Sequence, residues 1–151
     1  MANPSPIIFT NAYFAFATST GAVTIDFSNH VQAIRLTFSA DEQDDTVMGL
    51  TSHSRVQGLF SWTGEVDLLQ DFESTGATAV DAKFFDLLNN KIKFNMAIRP
   101  FNAARSSDNP EYNGLVRVFQ HNPLQGAVGD LLKITVPLMS AGNLNRTVTS
   151  S

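Results

Sequence analysis

Apolar and polar side chains alternate along much of the chain. In residues 91–99, Ile92, Phe94, Met96 and Ile98 fall on one side, and Lys91, Lys93, Asn95 and Arg99 on the other. Successive strand side chains point to opposite faces, so this spacing predicts a strand with one buried face. Pro100 removes a ladder donor and should end it. Leu132, Ile134, Val136 and Leu138 repeat the pattern opposite Lys133 and Thr135. Further strands are predicted over 112–121, over a long stretch at 58–72, over 31–38 and in the Phe-rich segment 13–18. The breaks between them carry turn chemistry: Asn109-Pro110, the run 121–126 with Pro123 and Gly126, and Gly129-Asp130. Proline presets φ and glycine supplies positive φ at such points.

One segment departs from this period. Val80, Phe84, Leu87 and Leu88 stand at i, i+4, i+7 and i+8, the stripe of a short amphipathic helix. Thr78 with Asp81 suggests a capping arrangement at its start, and Asn89-Asn90 a stop. A helix of about three turns is marginal alone and must dock through that stripe. The predicted architecture is one domain over 1–151, mainly β, a β-sandwich or barrel with one flanking α-helix. Two stretches lie outside the pattern. Residues 39–57 hold Asp41, Glu42, Asp44, Asp45 and a Thr-Ser-His-Ser run, and are expected to be a long loop. Residues 140–151 are expected to form a polar tail, which frays unless a neighbour holds it.

Charge adds an assembly clue. The net charge of −4 argues against a protein that grips duplex DNA through its phosphates. Residues 1–75 carry nine acidic and two basic residues, and residues 76–151 five acidic and eight basic. This asymmetry either cancels within the fold or brings opposite surfaces of identical copies together. In the second case the acidic stretch, with Asp41, Glu42, Asp44, Asp45, Thr46 and Arg55, meets a basic surface containing Lys83, Lys91, Lys93, Arg99, Arg105 and Arg117. Residues 1–10 hold no Lys or Arg and no sustained apolar run, so neither a secretory leader nor a membrane span is expected there.

Candidate chemistry is sparse. There is no cysteine, and His30, His53 and His121 are scattered without metal-ligand spacing. Ser52 and Ser54 flank His53, but adjacency does not make a catalytic triad. The run 126–129 lacks the lysine of a phosphate loop. Asp67 and Asp71, near Glu65 and Glu73, read as a charged sheet edge and not as an acid/base pair. Most of the twelve phenylalanines alternate with polar residues and read as core. No catalytic, cofactor-binding or metal site is expected.

The most specific residues lie in the C-terminal third. Asn109-Pro110-Glu111-Tyr112-Asn113-Gly114 leads into a strand, then Pro123-Leu124-Gln125-Gly126-Ala127-Val128-Gly129-Asp130 forms a turn before the last strand. This order resembles the major tail tube proteins of long-tailed, siphovirus-type bacteriophages. The resemblance extends upstream through Thr46-Val47-Met48-Gly49, Gly58-Leu59 into Trp62, and the helix at 80–88, and covers about residues 30–146. It implies a non-enzymatic virion protein that polymerises into stacked, hexameric rings around the DNA path. It implies as partners further copies of itself and tape measure, terminator and distal tail proteins, with DNA passing through the lumen without tight binding. It places the protein in the virion tail, assembled in the host cytoplasm, with no membrane and no cofactor. A head decoration or head–tail connector protein of the same kind of particle, and a monomeric ligand-binding barrel, are the alternatives.

Overall fold

A computed structural model describes residues 8, 10–17, 19–23, 25–72 and 79–149. Seven strands and one helix follow in the order β1 (Tyr13–Phe16), β2 (Ile25–Asp26), β3 (Val31–Asp44), β4 (Arg55–Leu69), α1 (Val80–Asn89), β5 (Phe94–Arg99), β6 (Glu111–Val118) and β7 (Lys133–Thr147). All seven strands belong to one antiparallel sheet, ordered β2-β1-β5-β6-β7-β4-β3. The expected mainly β fold with one helix is therefore present, built as one continuous sheet and not as two stacked ones.

The sheet nevertheless curls. Its two outermost strands, β2 and β3, are consecutive in the chain and separated only by residues 27–30. The His30 N–H donates to the Phe27 carbonyl and the Leu69 N–H to the His30 carbonyl, tying that turn to the end of β4. A twisted seven-stranded sheet whose edges meet at one corner must wrap around its apolar face. That face is continuous across the ladders: Val66 stands opposite Val136, Leu68 opposite Ile134, Val118 opposite Leu138 and Phe94 opposite Val116. All of these side chains are buried.

The registers also define two ends. Val31, Leu69, Lys133, Val118 and Phe94 lie at one, and Arg99, Glu111, Thr147 and the β3–β4 turn at the other. Helix α1 plugs the first end. Val80, Phe84 and Leu87 are buried and Leu88 is half-buried against the core. The Phe84 ring sits 5.5 Å from that of Phe16 and 5.9 Å from that of Phe27, and Phe16 lies 5.0 Å from Phe27 and 5.5 Å from Phe94. Such an aromatic cluster adds about 0.5–1.5 kcal/mol per pair to the burial itself. The helix starts at Ala79 without a side-chain cap, and the Thr78 half of the expected capping arrangement lies outside the described residues. The opposite end of the curl is open. There Ile34, Leu36 and Phe38 of β3 face Ile98, Pro100, Tyr112 and Leu144 across an apolar groove of about 470 Å³.

Three expectations need correction. Residues 39–57 are not a loop, because β3 runs on to Asp44 and β4 begins at Arg55, leaving only 45–54 as the connection. Residues 140–147 are not a free tail, because β7 continues to Thr147, paired with β6 from Glu111 to Gly114. Both segments pair in a ladder but bury little apolar surface, Leu144 being the main exception, so alternation could not reveal them. The expectation that most phenylalanines are core also fails, since among the eleven described Phe14, Phe16, Phe27, Phe84 and Phe94 are buried, Phe101 is half-buried, and Phe38, Phe60, Phe72, Phe85 and Phe119 are exposed.

Candidate assembly surfaces

The β3–β4 hairpin outruns the sheet. It pairs from Val31–Leu68 to Asp44–Arg55, but β4 pairs with β7 only from Thr63 to Leu69. Beyond Thr63 the two strands form a free-standing arm, and residues 39–44 alone extend it by roughly 20 Å at the rise of an antiparallel strand. Trp62 fixes the joint. Its buried ring packs on Gly114, where an added Cβ would approach the ring to 2.6 Å, and its Nε1–H donates to the Gly142 carbonyl at 2.8 Å. Glycine is required at 114 because the indole occupies the place of a side chain.

Composition changes along the arm. Phe38 and Phe60 lie on the face that continues the core, their rings stacked at 5.4 Å, both exposed. The register slips between Ala40 and Glu42, where Gly58 and Leu59 together oppose Asp41, a β-bulge of the kind that twists and bends a strand pair. Past the bulge Glu42 and Asp44 stand opposite Gln57 and Arg55, and the Arg55 Nε pairs with Glu42 at 2.5 Å. Thr46 closes the tip. The Ser54 N–H donates to its hydroxyl at 2.8 Å, and its own N–H donates to Asp44 at 2.9 Å. Hydrogen bonds from Thr46, its hydroxyl first and its N–H second, hold the Asp44 carboxyl below its ordinary pKa. At the tip, Gly49 adopts φ +98°, and Val47, Met48 and Leu50 project into solvent, Met48 fully exposed.

The sequence-predicted contact residues Asp41, Glu42, Asp44, Asp45, Thr46 and Arg55 are thus brought together on one arm. They have different roles there, since Glu42, Asp44, Thr46 and Arg55 are engaged within it, while Asp41 and Asp45 make no ion pair among the described residues. The expected basic surface is smaller than its sequence. Arg99 lies over the Tyr13 ring at 3.8 Å and pairs with Glu111, as does Arg105, so both are turned into the structure. Lys83, Lys91, Lys93 and Arg117 make no ion pair among the described residues.

Lys91 and Arg117 belong to a second feature, which sequence reasoning missed. At the helix end of the sheet, Leu88, Ile92, Val118 and Phe119 line an apolar basin of about 280 Å³ whose remaining lining residues are Lys91 and Arg117. Lys91 is the one described non-glycine residue with positive φ, +53°, and this turn carries the chain from α1 toward β5. Phe119 follows the last residue of β6 and is exposed. Its place directly after the alternating Val116-Arg117-Val118 was the available signal.

The outward face of β3, β4 and β7 is mostly polar, with Pro137 and Met139 of β7 as apolar members. Thr37 stands opposite Thr63 and Ser39 opposite Ser61, and the Thr135 hydroxyl donates to Asp67 at 2.7 Å. Arg35 pairs with Glu65 at 2.5 Å and lies 3.6 Å from Asp67. Hydrogen bonding to Glu65, and the charges of Glu65 and Asp67, raise the Arg35 pKa further.

The turn residues singled out in sequence serve the fold. Asn109 is buried; its amide donates to the carbonyls of Phe101, Ala103 and Ala104, and its side-chain oxygen accepts from the Phe101 N–H, locking the loop before β6. Pro110 is half-buried beside it, and Tyr112 lines the open groove. The Pro123 carbonyl accepts from Gln70, and Gly126 and Asp130 are exposed in the connection to β7. Gly129, φ +91°, sits in the turn that the Asp130 N–H closes onto the Ala127 carbonyl. Among the described residues no His/Asp/Glu group is arranged to hold a metal ion, and no helix is long and apolar enough to cross a membrane.

The sequence matches no protein-family model and no curated protein. Solved structures do share the fold. A chain of the SPP1 tail tube superposes with TM-score 0.71 and 13% identity, over 97% of this chain and 81% of that one. A chain of the gene transfer agent virion superposes with TM-score 0.67 and 13% identity, over 91% and 95%. A chain of the anti-feeding prophage baseplate gives TM-score 0.61 and 10% identity, over 96% and 97%. At these identities the likeness establishes a tail-tube fold.

Proposed function

We propose that the chain is a structural, non-enzymatic subunit of a phage-type tail tube, which self-assembles into stacked rings in the virion tail. The observation that carries this reading is the arm. Phe38, Leu59, Phe60 and Met48 are exposed on a two-stranded projection that its own chain does not cover. An isolated two-stranded ribbon is marginal in water, and exposed apolar patches of this kind mark interfaces. A neighbouring copy is the partner that a tube provides. The fold supports the reading because similar chains occur in the SPP1 tail tube and in a gene transfer agent tail solved with C6 symmetry. We take six subunits per ring as the expectation for this chain.

In this reading the hydroxyl-rich face of β3, β4 and β7 lines the channel. Its Arg35 is outweighed by Glu65 and Asp67, and a negatively charged subunit repels phosphates, so DNA slides through without being held. Tape measure, terminator and distal tail proteins are the further partners, and assembly takes place in the host cytoplasm. Negative-stain electron microscopy of concentrated protein tests the proposal. Hollow tubes or rings are expected. A monodisperse monomer at high concentration overturns it, and a flat lattice-binding protein without rings favours a decoration role instead.

A further inference from the structure

A second charged cluster lies at the open end of the curl, on the side away from the groove. Ile98 and Tyr112 line the groove, and strand neighbours point the other way, so Arg99 and Glu111 share the outward face beside them. Glu111 stands between Arg99 and Arg105. One of its carboxylate oxygens is 3.5 Å from the Arg99 Nε, and the other is 3.6 Å from the Arg105 Nη1. The Arg99 and Glu111 side chains are only 15% exposed, and that of Arg105 only 21%.

Charge does not balance here. Two guanidiniums share one carboxylate, which leaves an excess positive charge in a mostly buried cluster. Asp108, on the same loop as Arg105, is exposed and forms no ion pair among the described residues. Hydrogen bonding is unfinished as well. Both ion-pair contacts are longer than a good hydrogen bond. The Arg99 Nη1–H donates to the Ala103 carbonyl at 2.7 Å, but its Nε is buried without a hydrogen-bond partner among the described residues. Arg105 donates no hydrogen bond to any described residue. Glu111 meanwhile accepts a further bond from the Asn113 amide at 3.3 Å. A buried cation without a full partner is costly, and the guanidinium fork matches the oxygens of phosphate and carboxylate groups.

Arg105 is also held in place. The loop that carries it is locked by Asn109, whose amide donates to the carbonyl of Ala104, and Ser106 and Asn109 exchange both backbone hydrogen bonds at 3.2 Å. Arg99 is fixed over the Tyr13 ring. A recognition group needs such a rigid mount, which a merely solubilising surface charge does not.

We propose that Arg99 and Arg105 form a binding site for a small oxyanion, a phosphate or carboxylate group, with Glu111 as its internal competitor. The Arg105 fork makes the contact and Arg99 supplies the second charge. The site is separate from the arm, the basin and the hydroxyl-rich face of β3, β4 and β7, and it does not rest on the tube reading.

Nuclear magnetic resonance on the unassembled subunit tests it, with chloride exchanged for phosphate or for acetate at constant ionic strength. Saturable shifts of the Arg105 and Ser106 amide resonances are expected, with a Kd on the order of 1 mM. A response to phosphate alone assigns a phosphate ligand, and an equal response to acetate assigns a carboxylate. No saturable response to either overturns the site. Arg105→Gln should weaken binding at least about tenfold. Lys83→Gln, on the helix, should leave it unchanged. Loss of binding in both variants, or in neither, marks a general charge effect and overturns the assignment.

Glu111→Gln provides a readout that a damaged fold does not mimic. Without the carboxylate the two guanidiniums lose their shared partner, so this variant should melt below wild type in chloride. It should nevertheless bind the anion at least about tenfold more tightly. Affinity at or below that of wild type, in protein with wild-type circular dichroism, contradicts the proposed competition and with it the site.

Discussion

The two halves of the β3–β4 hairpin share one ladder and differ in almost everything else. In the proximal half, Ile34 and Leu36 stand opposite Val66 and Gly64 on a face that the curled sheet covers, while Arg35, Glu65 and Asp67 share the other. In the distal half, Phe38, Phe60 and Leu59 are exposed, and past the bulge the same face turns charged. The proximal half is held by burial, at roughly 25 cal/mol per Å² of apolar surface removed from water. The distal half has its backbone hydrogen bonds and little else, a pattern suited to an element whose apolar partner is another molecule. A strand pair can therefore belong to a fold at one end and to an assembly at the other.

That division implies a ranking of substitutions. Phe84→Ala, in the aromatic cluster beneath the helix, should destabilise by about 3–5 kcal/mol. Half-buried Leu88 should cost about half as much on truncation. Thermal melts of the isolated subunit measure both, and two wild-type melting temperatures would mean that α1 does not plug the curl. At the joint, Gly114→Ala drives a methyl into the Trp62 ring and should cost about 1–3 kcal/mol, since neither the strand nor the indole has room to move.

On the arm, Phe60→Ala should leave the melt of the unassembled subunit within about 0.5 kcal/mol of wild type. Ring or tube formation, followed by sedimentation, should nevertheless weaken. A large loss of subunit stability would show that the arm is packed within its own chain. The smallest effect concerns Asp44. Its pKa is lowered in the folded state, so its contribution to tip order is present above the ordinary carboxylate range and is lost as pH falls through the depressed value. The Thr46 amide resonance should follow that titration, and Asp44→Asn should abolish it without unfolding the subunit.

The same contrast explains what the sequence made legible. Val66, Leu68, Ile134, Val136, Phe94 and Met96 alternate because one face of each strand is buried, and Val80, Phe84 and Leu87 carry the helical stripe for the same reason. Residues 39–44 and 140–147 show little of that contrast, since apart from a few half-buried side chains such as Leu144 they meet solvent, so strands looked like a loop and a tail. The basin was hidden differently. Leu88 and Ile92 on one side and Val118 and Phe119 on the other are distant in sequence, and only the pairing of β5 with β6 brings them together. Charge counting pointed to a basic surface but could not separate Arg99 and Arg105, used internally, from Lys91 and Arg117.

The central claim is that the arm serves assembly and not the fold. Replacing Asp41, Glu42, Asp44 and Asp45 with Lys, then comparing circular dichroism and electron micrographs with wild type, tests it most directly. Individual exposed ion pairs contribute only about 0–1 kcal/mol, but a ring repeats them, so their reversal acts together. The account predicts a wild-type spectrum and no tubes. Folded variant protein that still builds normal tubes would contradict it.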